Sequence, residues 1–402
     1  MRFFSDNTAT VCPEILEALS AVNHGRAKSY GEDEWTLRLD EAFGSLFGTD
    51  VKVFVTVTGT ASNALTIGTL ATPFGMVFAH EGAHVINDEY GASELFSGGA
   101  KLMGVKGPEG KMTASMLGAA IDRHSGSVHS LQATALSLTQ ATEVGTSYRP
   151  EEIAALTELA HRREMKVHMD GARFANSVEF LGCAPADITW RAGIDVLSFG
   201  ATKNGALAAE AVVFFDPGLV RDFALRRARA GHVVSKARYV SAQLLAYIEN
   251  DVWLRTPLAR TAFARQIGAA AGAAVLHPVE ANEVFLNLGV ERMRKLREAG
   301  FEFHRWGGES TGHARFVVSW DQPKATSPRS AARSASDSRE QFLRHHEIRR
   351  DQQRPARAHR ARPAHRPDRD SRGRDRRRPR PLPSPACDRC PAVPPRMPSR
   401  RS

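Results

Sequence analysis

The chain has 402 residues, 42% of them hydrophobic, and a formal charge of +10 at neutral pH. That length supports a large core in one or two domains; no apolar run is long enough to span a membrane, and the start MRFFSDNTAT lacks the charged and then long apolar pattern of a secretory signal, so a cytoplasmic protein is expected. The cysteines, Cys12, Cys183, Cys387 and Cys390, are too few and scattered for a disulfide framework; the last two have C-x-x-C spacing, but no second pair or histidine cluster completes a zinc site, and no metal is expected.

Read in chain order, residues 13–19 start a helix near Thr10 or Cys12, and 37–47 form an amphipathic helix with Leu39, Phe43, Leu46 and Phe47 on one face. A strand over 51–57 is followed by Thr58-Gly59-Thr60-Ala61-Ser62-Asn63 and a helix of small residues. Such a turn is a phosphate-binding candidate, because a glycine admits an anion close to the backbone and free amides at the helix start point toward it. Further strands are expected at 76–79, 135–138, 166–170, 196–200 and 211–215, with helices at 151–164 and 238–249 among those between them. This alternation predicts α/β layering with a largely parallel sheet. A strand at 281–286, a helix at 290–299 and a strand at 315–320 predict a smaller α+β domain. The expected division is a large domain over 1–250 that includes the N-terminal segment, a small one over 251–323, and a tail over 324–402.

Asp170 and Lys203, 33 residues apart, form the most informative pair. The run KVHMD delivers a carboxylate to the carboxyl end of a buried strand, where open α/β sheets hold their ligands. The run VLSFG, followed by Ala-Thr-Lys-Asn-Gly, places an amine on a glycine-bordered loop. Such an amine forms a Schiff base, and such a carboxylate holds a pyridine nitrogen protonated, so the pair suits pyridoxal phosphate. Taken singly, a loop lysine is more often solvated and a strand-end aspartate more often a turn former.

The net charge is unevenly distributed. From Lys324 onward there are one Lys and 22 Arg against eight acids, so the body before it is slightly acidic. The tail is dense in Arg and Pro and too poor in apolar residues to fold alone. Its charge suits salt-dependent binding to nucleic acid; its abrupt onset after Trp320 also reads as a shift of reading frame, which we favour.

With these motifs in order, the body from Phe4 almost to Trp320 resembles the threonine aldolases, pyridoxal phosphate enzymes of aspartate-aminotransferase type (fold type I) in the beta-eliminating lyase group. The motifs are SDN at 5–7, YGED at 30–33, TGTASN at 58–63, HEGAH at 80–84, SLTQATEVGT at 137–146, HMDGARF at 168–174 and SFGATKNG at 198–205. The resemblance implies a large domain with a mainly parallel sheet and a small α+β domain. It makes Lys203 the Schiff-base lysine, Asp170 the partner of the pyridine nitrogen and His84 the residue stacked on the ring. Gly59, Thr60 and Thr202 would hold the phosphate, with Lys236 or Arg238 reaching a neighbouring subunit's phosphate. Arg173 and Arg315, helped by Ser5, would bind the substrate carboxylate through the fixed fork of the guanidinium. Tyr30 would approach from the partner subunit of a dimer or tetramer with shared active sites. In one segment the chain departs from the pattern: where many relatives resemble ENTHNG, Glu143 replaces the histidine. His84, His129, Glu143 and a bound water are then the candidates for the β-hydroxyl proton.

The implied reaction is reversible cleavage of L-threonine or L-allo-threonine to glycine and acetaldehyde. Alternatives are cleavage of phenylserine or another β-hydroxy amino acid, a serine hydroxymethyltransferase-like activity, β-elimination, or an inactive body carrying a nucleic-acid-binding tail.

Overall fold

The computed structural model describes residues 1–124, 129–308 and 310–322. The Arg/Pro-rich tail, the Cys387 and Cys390 pair and residue 323 at the end of the expected small domain lie outside the described residues. Eleven strands are described: β1 (Arg2–Phe3), β2 (Lys52–Thr56), β3 (Gly75–His80), β4 (Lys101–Val105), β5 (Gln132–Thr139), β6 (Lys166–Gly171), β7 (Val196–Gly200), β8 (Glu210–Phe214), β9 (Glu283–Asn287), β10 (Glu302–Trp306) and β11 (His313–Val317).

Seven of them form one sheet in the order β2-β8-β7-β6-β5-β3-β4. Neighbours pair in parallel except where β8 runs antiparallel to both β2 and β7. The central strands are apolar on both faces because helices cover both: β7 is buried at every position, and β6 from Val167 to Gly171. Fully buried Phe43, Phe78, Phe174 and Phe199 pack in this core, each worth about 1.5–3 kcal/mol in surface removed from water. Among the described residues no helix is long and apolar enough to cross a membrane.

The carboxyl ends of β6 and β7 approach closely because each ends in glycine. A Cβ on Gly171 would lie 2.6 Å from the Ser198 carbonyl oxygen, and one on Gly200 would lie 2.7 Å from that of Ala172. The glycines in HMDG and SFG therefore let the residues flanking Asp170 and Lys203 lie against one another. Beneath them, buried His168 ties the three central strands together. Its ring bonds the Ser137 hydroxyl on β5 at 3.0 Å and the Ser198 hydroxyl on β7 at 2.9 Å. Burial pulls this imidazole down to about 4, so it is a neutral structural tie.

The second sheet has the order β1-β10-β11-β9, with β1 parallel to β10 and the other pairs antiparallel. Phe3, Phe303 and Phe316 form its apolar face with Ala264, which lies on the long helix Val252–Ala271. The chain's first residues thus pair in the smaller sheet, where Phe3 completes the apolar cluster, and the turn after them returns Asp6 and Asn7 to the larger one. Strands β4, β10 and β1 were not legible in the sequence; β1 has two residues, and β4 (KLMGV) lacks both alternation and a continuous apolar run. The helix expected over 37–47 is broken at Arg38 into Glu34–Leu37 and Leu39–Phe47.

Candidate active site

A cleft of about 260 Å3 opens at the carboxyl ends of the parallel strands, where ligands of such sheets sit. Lys203, Asp170, His84, Gly59, Thr60, Thr202 and Glu143 all line it. They arrive from five places in the chain. The helix Gly59–Leu70 follows β2, His84 opens the short helix His84–Asn87 after β3, and Glu143 lies on the turn after β5. Asp170 belongs to β6 and Lys203 to the turn after β7.

Lys203 is held by its neighbour. Buried Asn204 donates to the Trp253 carbonyl at 3.0 Å and to the Tyr247 hydroxyl, and its own oxygen accepts from Thr256 at 2.7 Å and from buried Arg260. These four partners lie on two helices, Arg238–Glu249 and Val252–Ala271, and fix the turn that carries the amine. At the other side of the cleft, Thr58 caps the helix Gly59–Leu70, its hydroxyl accepting from the Ala61 amide at 3.2 Å. The first helical amides have no intrahelical acceptor, and apart from Gly59's chain neighbours and its own helix backbone nothing among the described residues lies within 4 Å of where a Gly59 Cβ would be, so an anion has room at this helix start.

Asp170 is buried and accepts from the Asn63 side chain at 2.8 Å and the Ala172 amide at 3.0 Å. Asn63 also donates to Glu89 at 2.9 Å, and Glu89 pairs with His84 Nδ1 at 2.8 Å. A hydrogen-bonded chain therefore joins His84 to Asp170 through two buried side chains. Among the described residues the Asn63 side-chain oxygen and Glu89 Oε2 have no hydrogen-bond partner, which leaves buried acceptors beside the cleft. The hydrogen bond to Glu89 raises His84 above the ordinary imidazole range against the opposing effect of burial, and Asp170, Glu143 and the Glu89 charge add to the rise. Burial raises Glu89 as well, so the pair keeps its proton to higher pH than a free imidazole would. Glu89→Gln should lower the proton affinity of His84 about tenfold to a hundredfold, the worth of a charged hydrogen bond. Following the His84 ring protons by NMR against pH checks this; an unmoved titration would remove Glu89 as the cause.

The remaining expected site residues are distributed as follows. Arg173 is buried, does not line the cleft, and has its fork filled by Asp6: Nε donates to Oδ2 at 2.8 Å and Nη2 to Oδ1 at 3.0 Å. Its Nη1 lies 3.5 Å from Glu283 Oε2, an ion contact longer than a good hydrogen bond. Arg315 on β11 donates to Glu283 Oε1 through Nε at 2.9 Å and through Nη2. The Ser5 hydroxyl accepts from the Asn7 amide at 3.2 Å and so caps the turn that carries Asp6. Tyr30 and Lys236 are exposed and do not line this chain's cleft, but their loops meet, the Tyr30 amide donating to the Ser235 carbonyl at 3.1 Å. Arg238 donates to the His24 carbonyl at 3.2 Å. His129 precedes the amino end of β5, roughly 25 Å from the cleft at the rise of a parallel strand, so it is not near the chemistry.

Sequence reasoning passed over Asn63, Glu89, Glu210, Asp6 and Glu283. Glu210 heads an apolar strand, the same signal that singled out Asp170, and because β8 runs antiparallel its first residue lies at the cleft. Burial pushes its carboxyl up to about 7 despite hydrogen bonds from Thr202. Glu89 lies five residues after His84, just past the end of the short helix His84–Asn87, at a spacing that no helix or strand periodicity marks.

The larger sheet, its covering helices and the smaller mixed sheet define an aminotransferase-like protein of fold type I. Its fold matches a threonine aldolase from Leishmania major with a TM-score of 0.75 and 22% identity, over 84% of this chain and 98% of that one. The sequence matches the beta-eliminating lyase profile over residues 2–360, and the chain belongs to that family. Members of the family use pyridoxal 5′-phosphate. Two curated relatives carry the name low specificity L-threonine aldolase. The one from a Pseudomonas species is 41% identical over 81% of this chain and 94% of its own length. That from Pseudomonas aeruginosa is 42% identical over 80% and 93%.

Proposed function

We propose that this chain catalyses the reversible cleavage of L-threonine and L-allo-threonine to glycine and acetaldehyde with pyridoxal phosphate bound in the cleft. The observation that carries the reading is the meeting of Lys203 and Asp170 in one cleft, facing a helix start with room for an anion. The names of the two Pseudomonas relatives support it.

The donor set fits the cofactor. Lys203 would hold its aldehyde carbon, Asp170 its ring nitrogen and His84 its ring face, with Gly59, Thr60 and Thr202 around its phosphate. When bound, the cofactor supplies an electron-accepting ring that stabilises charge on the substrate's α-carbon. The chain's own contribution is orientation. Asn63 and the Ala172 amide fix both oxygens of Asp170. Arg315 keeps Nη1 without a hydrogen-bond partner among the described residues and takes the substrate carboxylate there, helped by Ser5; Arg173 supplies further positive charge. Of these groups Arg315 alone comes from the small domain, which we place over 251–323; the large domain is placed over 1–250.

A second copy would complete the site. The loops carrying exposed Tyr30 and Lys236 meet outside their own cleft, as residues serving a neighbour's site in a dimer or tetramer would. The test of the function is aldehyde release by purified protein loaded with pyridoxal phosphate, from L-threonine, L-allo-threonine and D-threonine. Release from the L isomers is expected. No release from either, with the cofactor's visible absorbance present, would remove threonine as the substrate.

A further inference from the structure

We infer that the Glu143 carboxylate is the catalytic base that takes the β-hydroxyl proton of the substrate. This rests on the aldolase reading of the cleft and assigns within it the step that no other residue fills. Glu143 lines the cleft with Lys203, His84 and Asp170, and it accepts no hydrogen bond from the described residues. Every other carboxylate of the cleft is engaged: Asp170 by Asn63 and Ala172, Glu89 by His84 and Asn63, and Glu210 by Thr202.

The turn that presents Glu143 is well fixed. The Thr142 amide donates to the Thr146 carbonyl at 2.8 Å, their hydroxyls bond each other at 2.7 Å, and the Gly145 amide donates back to the Thr142 carbonyl at 2.9 Å. Gly145, with φ of 79°, packs against Glu283, where a Cβ would lie 3.2 Å from the Glu283 Cβ. Glu283 in turn holds Arg315 and touches Arg173. The turn that carries the base and the carboxylate-binding arginine are therefore joined through Glu283.

The histidines are poor alternatives. His129 lies at the far end of β5. His84 gives Nδ1 to Glu89, and that bond raises its proton affinity above that of a free imidazole, so its ring is less ready to accept a further proton. The groups facing Glu143 are Lys203, Asp170, Arg173 and Glu283, with His84 across the cleft. Burial raises Glu143 above the ordinary carboxyl range, opposed by Lys203 and Arg173 and aided by Asp170 and Glu283. A carboxyl so shifted is closer to neutrality and a stronger base than an exposed one.

In the cleavage direction the hydroxyl proton passes to Glu143, the oxygen's electron pair forms the carbonyl, and the Cα–Cβ bond breaks with its electron pair left on Cα. The departing product is the aldehyde. Cα then takes up one proton to give glycine, and Glu143 gives up the one it accepted, so the cycle is proton-neutral. In the reverse direction the protonated Glu143 donates to the aldehyde oxygen.

The test compares two reactions of wild type and Glu143→Gln, both loaded with pyridoxal phosphate: cleavage of L-threonine, and exchange of the glycine α-proton in deuterium oxide. Glycine has no β-hydroxyl, so exchange does not need this base. Cleavage should fall by about 10²–10⁴-fold, the usual worth of a positioned base, and far more than exchange. The acid limb of the cleavage pH profile should disappear with it, and Glu143→Asp should recover part of the loss. Titration of apoprotein with cofactor, read by visible absorbance, should give the same affinity for wild type and Glu143→Gln. Cleavage that survives in Glu143→Gln would overturn the assignment in favour of water or His84. An equal loss of cleavage, exchange and cofactor affinity would overturn it in favour of a structural role. A wild type that exchanges glycine yet cleaves no β-hydroxy amino acid would instead sink the aldolase reading and this assignment with it.

Discussion

Lys203→Ala should remove the visible absorbance of bound pyridoxal phosphate and bring threonine cleavage below detection, while changing folding stability by only about 0.5 kcal/mol. The separation of the two effects follows from the local structure. The turn is anchored by Asn204, whose side chain reaches Trp253, Tyr247, Thr256 and Arg260, and Lys203 takes no part in that anchoring. Truncating the lysine thus leaves the turn in place and deletes only the amine. The loss of its charge has a second consequence, because Lys203 lowers the proton affinity of both Glu143 and Asp6. Both carboxyls should titrate at higher pH in the variant. Absorbance, cleavage and thermal melting on one preparation check the prediction; retained cleavage would show that the amine of this lysine is not required.

The parts of this architecture that were legible in the sequence are those whose cause is local. β6 and β7 read clearly because they are short apolar runs bounded by glycine, and the helix 238–249 was placed at its observed bounds. Asp170 and Lys203 were legible because each stands alone as a charge at the end of such a run. The engagement of the arginines was not legible. Asp6 and Arg173 are 167 residues apart, and Glu283 and Arg315 lie on strands of the other sheet, so no spacing in the sequence indicates that they pair. The N-terminal strand has the same explanation. Two residues carry no periodicity, and what fixes them is the apolar cluster of Phe3 with Phe303 and Phe316 some 300 residues later.

Arg173→Ala should destabilise the fold by about 3–5 kcal/mol, whereas Arg315→Ala should chiefly raise KM for the amino acid. Both arginines carry the fork that suits a carboxylate, and both give Nε and Nη2 to a protein carboxylate, but Arg315 is partly exposed and keeps Nη1 without a hydrogen-bond partner among the described residues. Arg173 is buried and bound through all three of its nitrogens, two to Asp6 and one toward Glu283. Removing it leaves Asp6 buried with Asn282 at 3.2 Å as its remaining side-chain donor. Burial alone would push the Asp6 carboxyl up; Arg173 and Lys203 hold it well below the usual range. In wild type the contribution of Asp6 is therefore present above the ordinary carboxyl range and lost only as pH falls through its depressed value. In Arg173→Ala the main opposing charge is gone and the carboxyl titrates higher, so the deficit should be largest near neutrality and shrink on acidification, as Asp6 takes a proton. Arg315 is partly exposed, and its loss leaves Glu283 still beside Arg173. Urea unfolding at several pH values, set beside KM for L-threonine, separates the two roles. An Arg173→Ala protein as stable as wild type, with the larger rise in KM, would make Arg173 the substrate's fork and Asp6 the group that yields to the incoming carboxylate.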